Sequence, residues 1–351
     1  MKRFLLIYGA VVLCTCHPAM KEAKTEEHSL VLPKVITQRV ANDTDDPAIW
    51  INEKDLSKSL IIGTDKGNDQ GIGALYVFNL EGEIVHTVDS LLRPNNIDIT
   101  YDFEFDGQLI DIAVCTERIK NCLRVFKLPE MTAIDEGGIP VFEGGDSLRA
   151  PMGIALYSPP SESTVYAIAS RKSGPVSGYL TQYELYTEKG QVKGKWLRNF
   201  GKFSGVKEIE AIAVDNELGY VYYADENVGI RKYYAHPDSS DQELALFGTK
   251  DFAGDQEGIS IYKTSDSTGY LLISDQKANA FQVYSREGTA ENPHLHKHLK
   301  TVFTSTLESD GSEVTNMPLT TNFPKGLFVA MSDDGTFHYY NWQDIAGIEL
   351  R

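Results

Sequence analysis

From residue 46 to residue 340 the chain repeats one pattern, three short Val/Ile/Tyr-rich runs divided by turns containing Gly and Asp. The runs fall at 46–50, 59–64 and 74–80, then at 96–99, 109–114 and 122–126, then at 152–156, 165–169 and 182–185. They return at 210–214, 220–223 and 230–233, and again at 257–261, 270–274 and 280–284. The last copy, 326–330 and 336–340, is incomplete at its front. Runs this short, rich in β-branched and aromatic residues and bounded by turn residues, read as strands. Aligned, the copies place Asp46, Asn95, Met152, Glu210 and Glu257 at the start of successive first strands, at intervals of 49, 57, 58 and 47 residues. A period of that size belongs to propeller blades, because each small sheet cannot cover its own faces and neighbours must stack around an axis. The expectation is an all-β, six-bladed β-propeller of four-stranded antiparallel blades over residues 33–351. Residues 35–38 would supply the outermost strand of the last blade and close the ring.

The first strand of a blade lines the central channel, so residues entering it share one rim. Four of the five aligned positions are Asp, Asn or Glu, and Asp45, Glu226 and Asp255 fall near the same level. In Asn42-Asp43-Thr44-Asp45-Asp46-Pro47 a knot of acids turns directly into a strand, with Pro47 expected at the strand start, where a missing N–H costs nothing. One such stretch is accounted for by an Asx turn. A ring of acids is not, since like charges so close repel unless cations sit among them, and carboxylate and amide oxygens are the ligands calcium prefers.

Lys2 and Arg3 precede an apolar run over 4–13 that is too short to span a bilayer. Residues 1–16 therefore read as a secretory signal, and the protein as exported, periplasmic or extracellular. Leu13-Cys14-Thr15-Cys16 resembles a lipobox, so a lipid anchor through Cys16 is the alternative to release. Residues 17–32 are Lys/Glu-rich without periodicity and read as a flexible linker. A net charge of −17 argues against a nucleic-acid partner, although an acidic protein can hold anions through divalent cations. Cys115 and Cys122 flank an expected hairpin turn, where a disulfide and two free thiols both fit. His294, His296 and His298 alternate as on one face of a solvated outer strand, with a transition-metal site as the lesser reading. Gly71-Ile72-Gly73 has no helix after it and reads as a hairpin loop.

These residues resemble those of the β-propeller phytases, calcium-dependent phosphatases acting on inositol hexakisphosphate, over nearly all of the chain after the leader. Asp45-Asp46-Pro47-Ala48-Ile49-Trp50 and Asn95-Asn96-Ile97-Asp98-Ile99 are similar to the family's signatures in the first and second blades. The resemblance implies that Asp46, Glu210, Glu226, Asp255, Glu257 and Gln276 ligate several calcium ions, and that Asp45 holds an attacking water or a metal. Asp310, in Ser309-Asp310-Gly311-Ser312-Glu313, stands where the family has a further acidic loop. Lys66, Arg118 and Lys172 each follow the second strand of their copy and match residues that hold the phosphate under attack, with Asn96 a further substrate contact. Isolated Lys and Arg at turns are mostly solvated; recurrence in three successive copies sets these apart. The implied activity is that of a monomeric 3-phytase hydrolysing phosphomonoesters of phytate, a small polyphosphorylated partner, by metal-activated water.

Two departures bear on substrate fit. Met152 stands where the family carries a tyrosine, and Thr100 where it carries an arginine. Two other functions compete, a non-catalytic calcium-stabilised propeller that binds a glycan or protein, and a propeller hydrolase of the lactonase type. Both rivals should tolerate the loss of Lys66, Arg118 and Lys172.

Overall fold

The computed structural model describes residues 29–143 and 149–350, so the expected signal sequence, with Cys14 and Cys16, lies outside the described residues. Six antiparallel sheets stand around one axis. Their innermost strands are Thr44–Trp50, Pro94–Phe105, Pro151–Tyr157, Ile212–Asp215, Ile259–Lys263 and Ser312–Thr315. Each touches the innermost strand of the next blade, and the sixth touches the first. The first five blades run outward in chain order, the outer edge of the second being split between Thr132–Ala133 and Ile139–Pro140. Val35–Ile36 lies antiparallel to Thr336–Asn341, with Val35 opposite Tyr339, and completes the sixth blade as expected. Val31 is already docked, bridging to Thr304. Ser312–Thr315 is the first strand that the repeat left out; at four residues, three of them polar, it carries too little apolar pattern to stand out.

The core is divided among the blade interfaces. Between the first and sixth blades Ile61 and Phe78 pack with Leu327, Val329, Met331, Phe337 and Tyr339. Phe337 lies so close to Gly63 that a Cβ there would stand 2.2 Å from Phe337 Cε2.

Two devices position the rim. In four of the six blades the second strand ends in a buried carboxylate that accepts backbone N–H groups of the incoming inter-blade loop; Arg171 and Ser332 stand there in the third and sixth. Asp65 accepts from Asn42 and Asp43 (3.1 and 2.9 Å), Glu117 from Leu92 (2.7 Å), Asp225 from Ser204 (2.9 Å) and Asp275 from Ala253 (3.0 Å). The residue that follows in each blade donates its own N–H back to that loop. Lys66 donates to the Asp43 carbonyl (2.7 Å), Arg118 to Arg93 (3.0 Å), Lys172 to Ala150 (2.8 Å), Glu226 to Glu208 (3.2 Å), Gln276 to Asp255 (3.1 Å) and Asp333 to Leu307 (3.0 Å). These six residues are one structural position in six copies.

The second device is a bulge in the first three innermost strands, between Thr44 and Pro47, between Pro94 and Ile97, and between Pro151 and Ile154. A bulge re-aims the side chains it contains. The shared register pairs Asp45, not Asp46, with Asn95 and Met152, so the sequence alignment slips by one residue in the first copy. Pro47 sits inside its strand just past the bulge, opposite Gly63, and not at the strand start.

Two other expectations resolve here. Cys115 and Cys122 are buried free thiols; Cys122 pairs in register with Glu117 and Cys115 with Arg124, so the two are not cross-strand neighbours. The His294, His296 and His298 face does not form, because the outer strand begins only at His298. His296 is buried against Tyr222 and Phe247, with Nδ1 2.7 Å from the Ser285 carbonyl, while His298 Nε2 meets Gln282 Oε1 at 2.8 Å.

Candidate active site

The six equivalent positions divide the rim by charge. Lys66, Arg118 and Lys172 occupy them in the first three blades, and Glu226, Gln276 and Asp333 in the last three. Two residues beyond each accepting loop carbonyl come Asp45, Asn95, Met152, Glu210, Glu257 and Ser309. One half of the rim is cationic and the other rich in carboxylates.

The two halves are tied by a chain of contacts. Lys66 Nζ lies 3.1 Å from Asp45 Oδ1 and 2.8 Å from Asp310 Oδ2. Gln276 Nε2 donates to Asp310 Oδ1 (2.7 Å) and to Glu257 Oε2 (2.6 Å). Lys207 Nζ then joins Glu257 (3.0 Å), Asp255 (2.8 Å) and Glu226 (2.7 Å). On the other side Arg118 Nη1 donates to Asn95 Oδ1 (3.0 Å), Asn95 Nδ2 donates to Glu210 Oε1, and Lys172 pairs with Glu208. Asp310 is thus central to the site, and Gly311 lets its loop pass over the first blade, since a Cβ there would meet Asp46 Oδ1 at 2.4 Å.

Not every expected residue joins this group. Asp46 and Asn96, one step along the bulge, line the channel, a cavity of about 460 Å³ shared with Asp98, Glu257 and Glu313. Asp46 Oδ2 accepts from the Ile97 N–H (3.1 Å), and Asn96 Oδ1 from Asn95 Nδ2 (2.9 Å). Met152 is buried in the rim, its carbonyl accepting from Thr116 Oγ1 (2.7 Å), and offers shape rather than a donor. Thr100 meets Ser158 deep in the channel at 2.7 Å, roughly 16 Å along the strand from Asn95 at about 3.3 Å per residue, away from the rim cations. Lys207 and Glu208 were missed by sequence reasoning. The alternation of Glu208 with Glu210 was the one available signal.

The electrostatics are those of crowded acids. Burial raises Glu226 to about 8, against the pull of Lys207 and with the help of Glu208 and Glu210. Burial, then Asp310 and Glu226, raise Glu257 to about 9, and burial with Asp45 pushes Glu210 well above the usual carboxylate range. Burial alone would discharge Lys66, but Asp45, Asp310, Glu210 and Asp43 outweigh it and hold the ammonium charged. Oxygens of Glu208, Glu210 and Glu226 lie within 4.8 Å of one another, as do those of Glu226, Asp255 and Glu257. Glu226 Oε1 and Asp45 Oδ2 are buried with no donor among the described residues. An all-oxygen donor set with orphaned anionic oxygens fits a hard divalent cation such as calcium.

Fold and rim together define a class, a β-propeller that sets basic residues against a candidate divalent-metal cluster, as binding an anionic ligand requires. Residues 4–343 match the family described as Phytase, and the chain belongs to that family. It is 30% identical over 345 residues to the 3-phytase of Bacillus subtilis (strain 168), a match covering 92% of this chain and 86% of that protein. Among solved structures, the Dos1 propeller superimposes with a TM-score of 0.43 at 14% identity, over 85% of this chain and 68% of that one, too loose a likeness to inform the site.

Proposed function

We propose that the protein is a calcium-dependent 3-phytase, removing phosphate from inositol hexakisphosphate by attack of water on a phosphomonoester. The split rim carries this reading, because it places Lys66, Arg118 and Lys172 at equivalent positions facing the carboxylates of the last three blades. Lys66, charged and half-buried between Asp45 and Asp310, would hold a phosphoryl oxygen as a point charge, and Arg118 would grip by its planar fork. Lys172, half-exposed, would reach a neighbouring phosphate. Asp45 Oδ2 would accept a hydrogen bond from the attacking water and orient it in line with the leaving oxygen. Glu208, Glu210, Glu226, Asp255 and Glu257 would hold calcium, with the Gln276 carbonyl oxygen available beside them after an amide flip. Calcium, when bound, would supply Lewis acidity and neutralise the charge between substrate and protein. Asp46 would serve from the channel side.

The deciding experiment is phosphate release from inositol hexakisphosphate by the mature protein, with added calcium and after chelation. Calcium-dependent release that drops at least ~100-fold in Lys66→Ala, the loss expected for a well-placed charge donor, supports the reading. No release at any calcium level from folded protein overturns it and returns the binding-propeller alternative. Release untouched by Lys66→Ala would remove the rim cations from the chemistry. The same reading has the protein exported, and the mass of the mature N-terminus separates signal cleavage from lipidation at Cys16.

A further inference from the structure

We infer that Lys207 is a tethered counter-ion occupying a divalent-metal position, so that calcium enters the Glu226–Asp255–Glu257 cluster only by displacing it. The inference rests on the calcium reading above and adds to it a residue of this chain. The three carboxylates converge on one point, and the Lys207 ammonium is at that point, 2.7, 2.8 and 3.0 Å from Glu226 Oε2, Asp255 Oδ2 and Glu257 Oε1. Calcium bonds oxygen at about 2.3–2.6 Å, so an ion held by the same three groups would need the volume that the ammonium fills. Two cations cannot share it.

The surroundings make exchange practicable. Lys207 lies in the inter-blade loop ahead of Ile212–Asp215, outside any strand, and its side chain is 35% exposed although Glu226 is fully buried. It can therefore swing to solvent without breaking a sheet ladder. The oxygen of Glu226 that Lys207 does not hold, Oε1, is buried with no donor among the described residues and belongs to the carboxylate that also serves the Glu208–Glu210 cluster. Glu226 is thus common to both carboxylate clusters, one centred on the Lys207 ammonium and the other flanked by Lys172 at Glu208. In calcium-free protein Lys207 offsets carboxylate repulsion at the rim. In calcium it becomes a competitor that sets the concentration at which the cluster fills.

Calorimetric titration of calcium into the chelator-treated protein and into Lys207→Met tests this, alongside thermal unfolding in chelator. The expected result is at least one calcium class bound about tenfold or more tightly in Lys207→Met, with a lower unfolding temperature in chelator. Equal or weaker calcium binding by the variant overturns the role of Lys207 while leaving the calcium reading in place; absence of calcium binding by both proteins overturns the two together. A measurement on the unaltered chain covers a variant that fails to fold. Lys207 should acetylate faster with acetic anhydride when calcium is added, as read by peptide mass, and a rate that stays level or falls contradicts displacement.

Discussion

At single-residue scale Arg118 has donor capacity that its neighbours leave unused. Its Nη1 is spent on Asn95, but its Nε is buried with no acceptor among the described residues, and burial together with nearby Arg93 lowers its pKa. A buried N–H left unmatched costs ~1–3 kcal/mol, which an incoming phosphate oxygen would return. Arg118→Ala should lower kcat/KM for phosphate release by about 10²–10³-fold. Arg118→Lys should restore only part of that, because an ammonium lacks the planar fork; activity within threefold of the parent in the alanine variant would exclude Arg118 from the site. The three basic residues stand out in the sequence through the family resemblance, supported by their recurrence after the second strand of successive copies. Lys207 has no such signal, since it precedes the fourth blade's first strand in a loop without periodicity, and Glu208 has only its alternation with Glu210. The exchange of Asp45 for Asp46 has another cause: two adjacent acids fit the aligned position equally well in sequence, and only the strand register chooses between them.

Among elements, the seam between the first and sixth blades leaves no room for change at one contact. Phe337 occupies the place where any side chain at position 63 would begin, so Gly63→Ala and Phe337→Ala act on one contact from its two sides. Phe337→Ala should destabilise the protein by about 3–5 kcal/mol. The double variant should be less unstable than the sum of the singles, because the smaller side chain opens room for the new Cβ. Urea unfolding of the four proteins measures the coupling, and strict additivity would show that the contact is slack. The strands of this seam were largely legible from alternating Ile, Val and Phe, and so was the closing role of Val35–Ile36. Ser312–Thr315 was hidden, because it gains its strand character from its partners rather than from its own four residues.

Over the whole molecule, charge rather than apolar burial sets the response to solution conditions. Burial and Asp98 raise Glu313 in the channel to about 8, burial raises Asp98 to about 6, and Glu226 and Glu257 on the rim stand at about 8 and 9. A carboxyl raised above its unfolded value stabilises the fold fully below that unfolded value, and the contribution is lost as pH climbs through the folded one. Chelated protein should therefore lose roughly 5–10 °C of unfolding temperature between pH 5 and pH 9, and calcium should reverse much of the loss at the alkaline end. A chelated protein equally stable at both pH values would show that these acids are not held in the raised state. The six-blade plan was visible because blades repeat; the division of the rim into cationic and anionic arcs was only partly so, since it appears when equivalent positions are superimposed in space. The contact of Lys66 with Asp310 joins residues 244 apart in the chain, across the seam that Val35–Ile36 seals. A polypeptide still leaving the ribosome holds the basic arc long before the acidic one exists, so it cannot assemble the machinery on a growing fragment. With both arcs serving the reaction proposed above, turnover would report that the strand at Val35–Ile36 has paired with Thr336–Asn341.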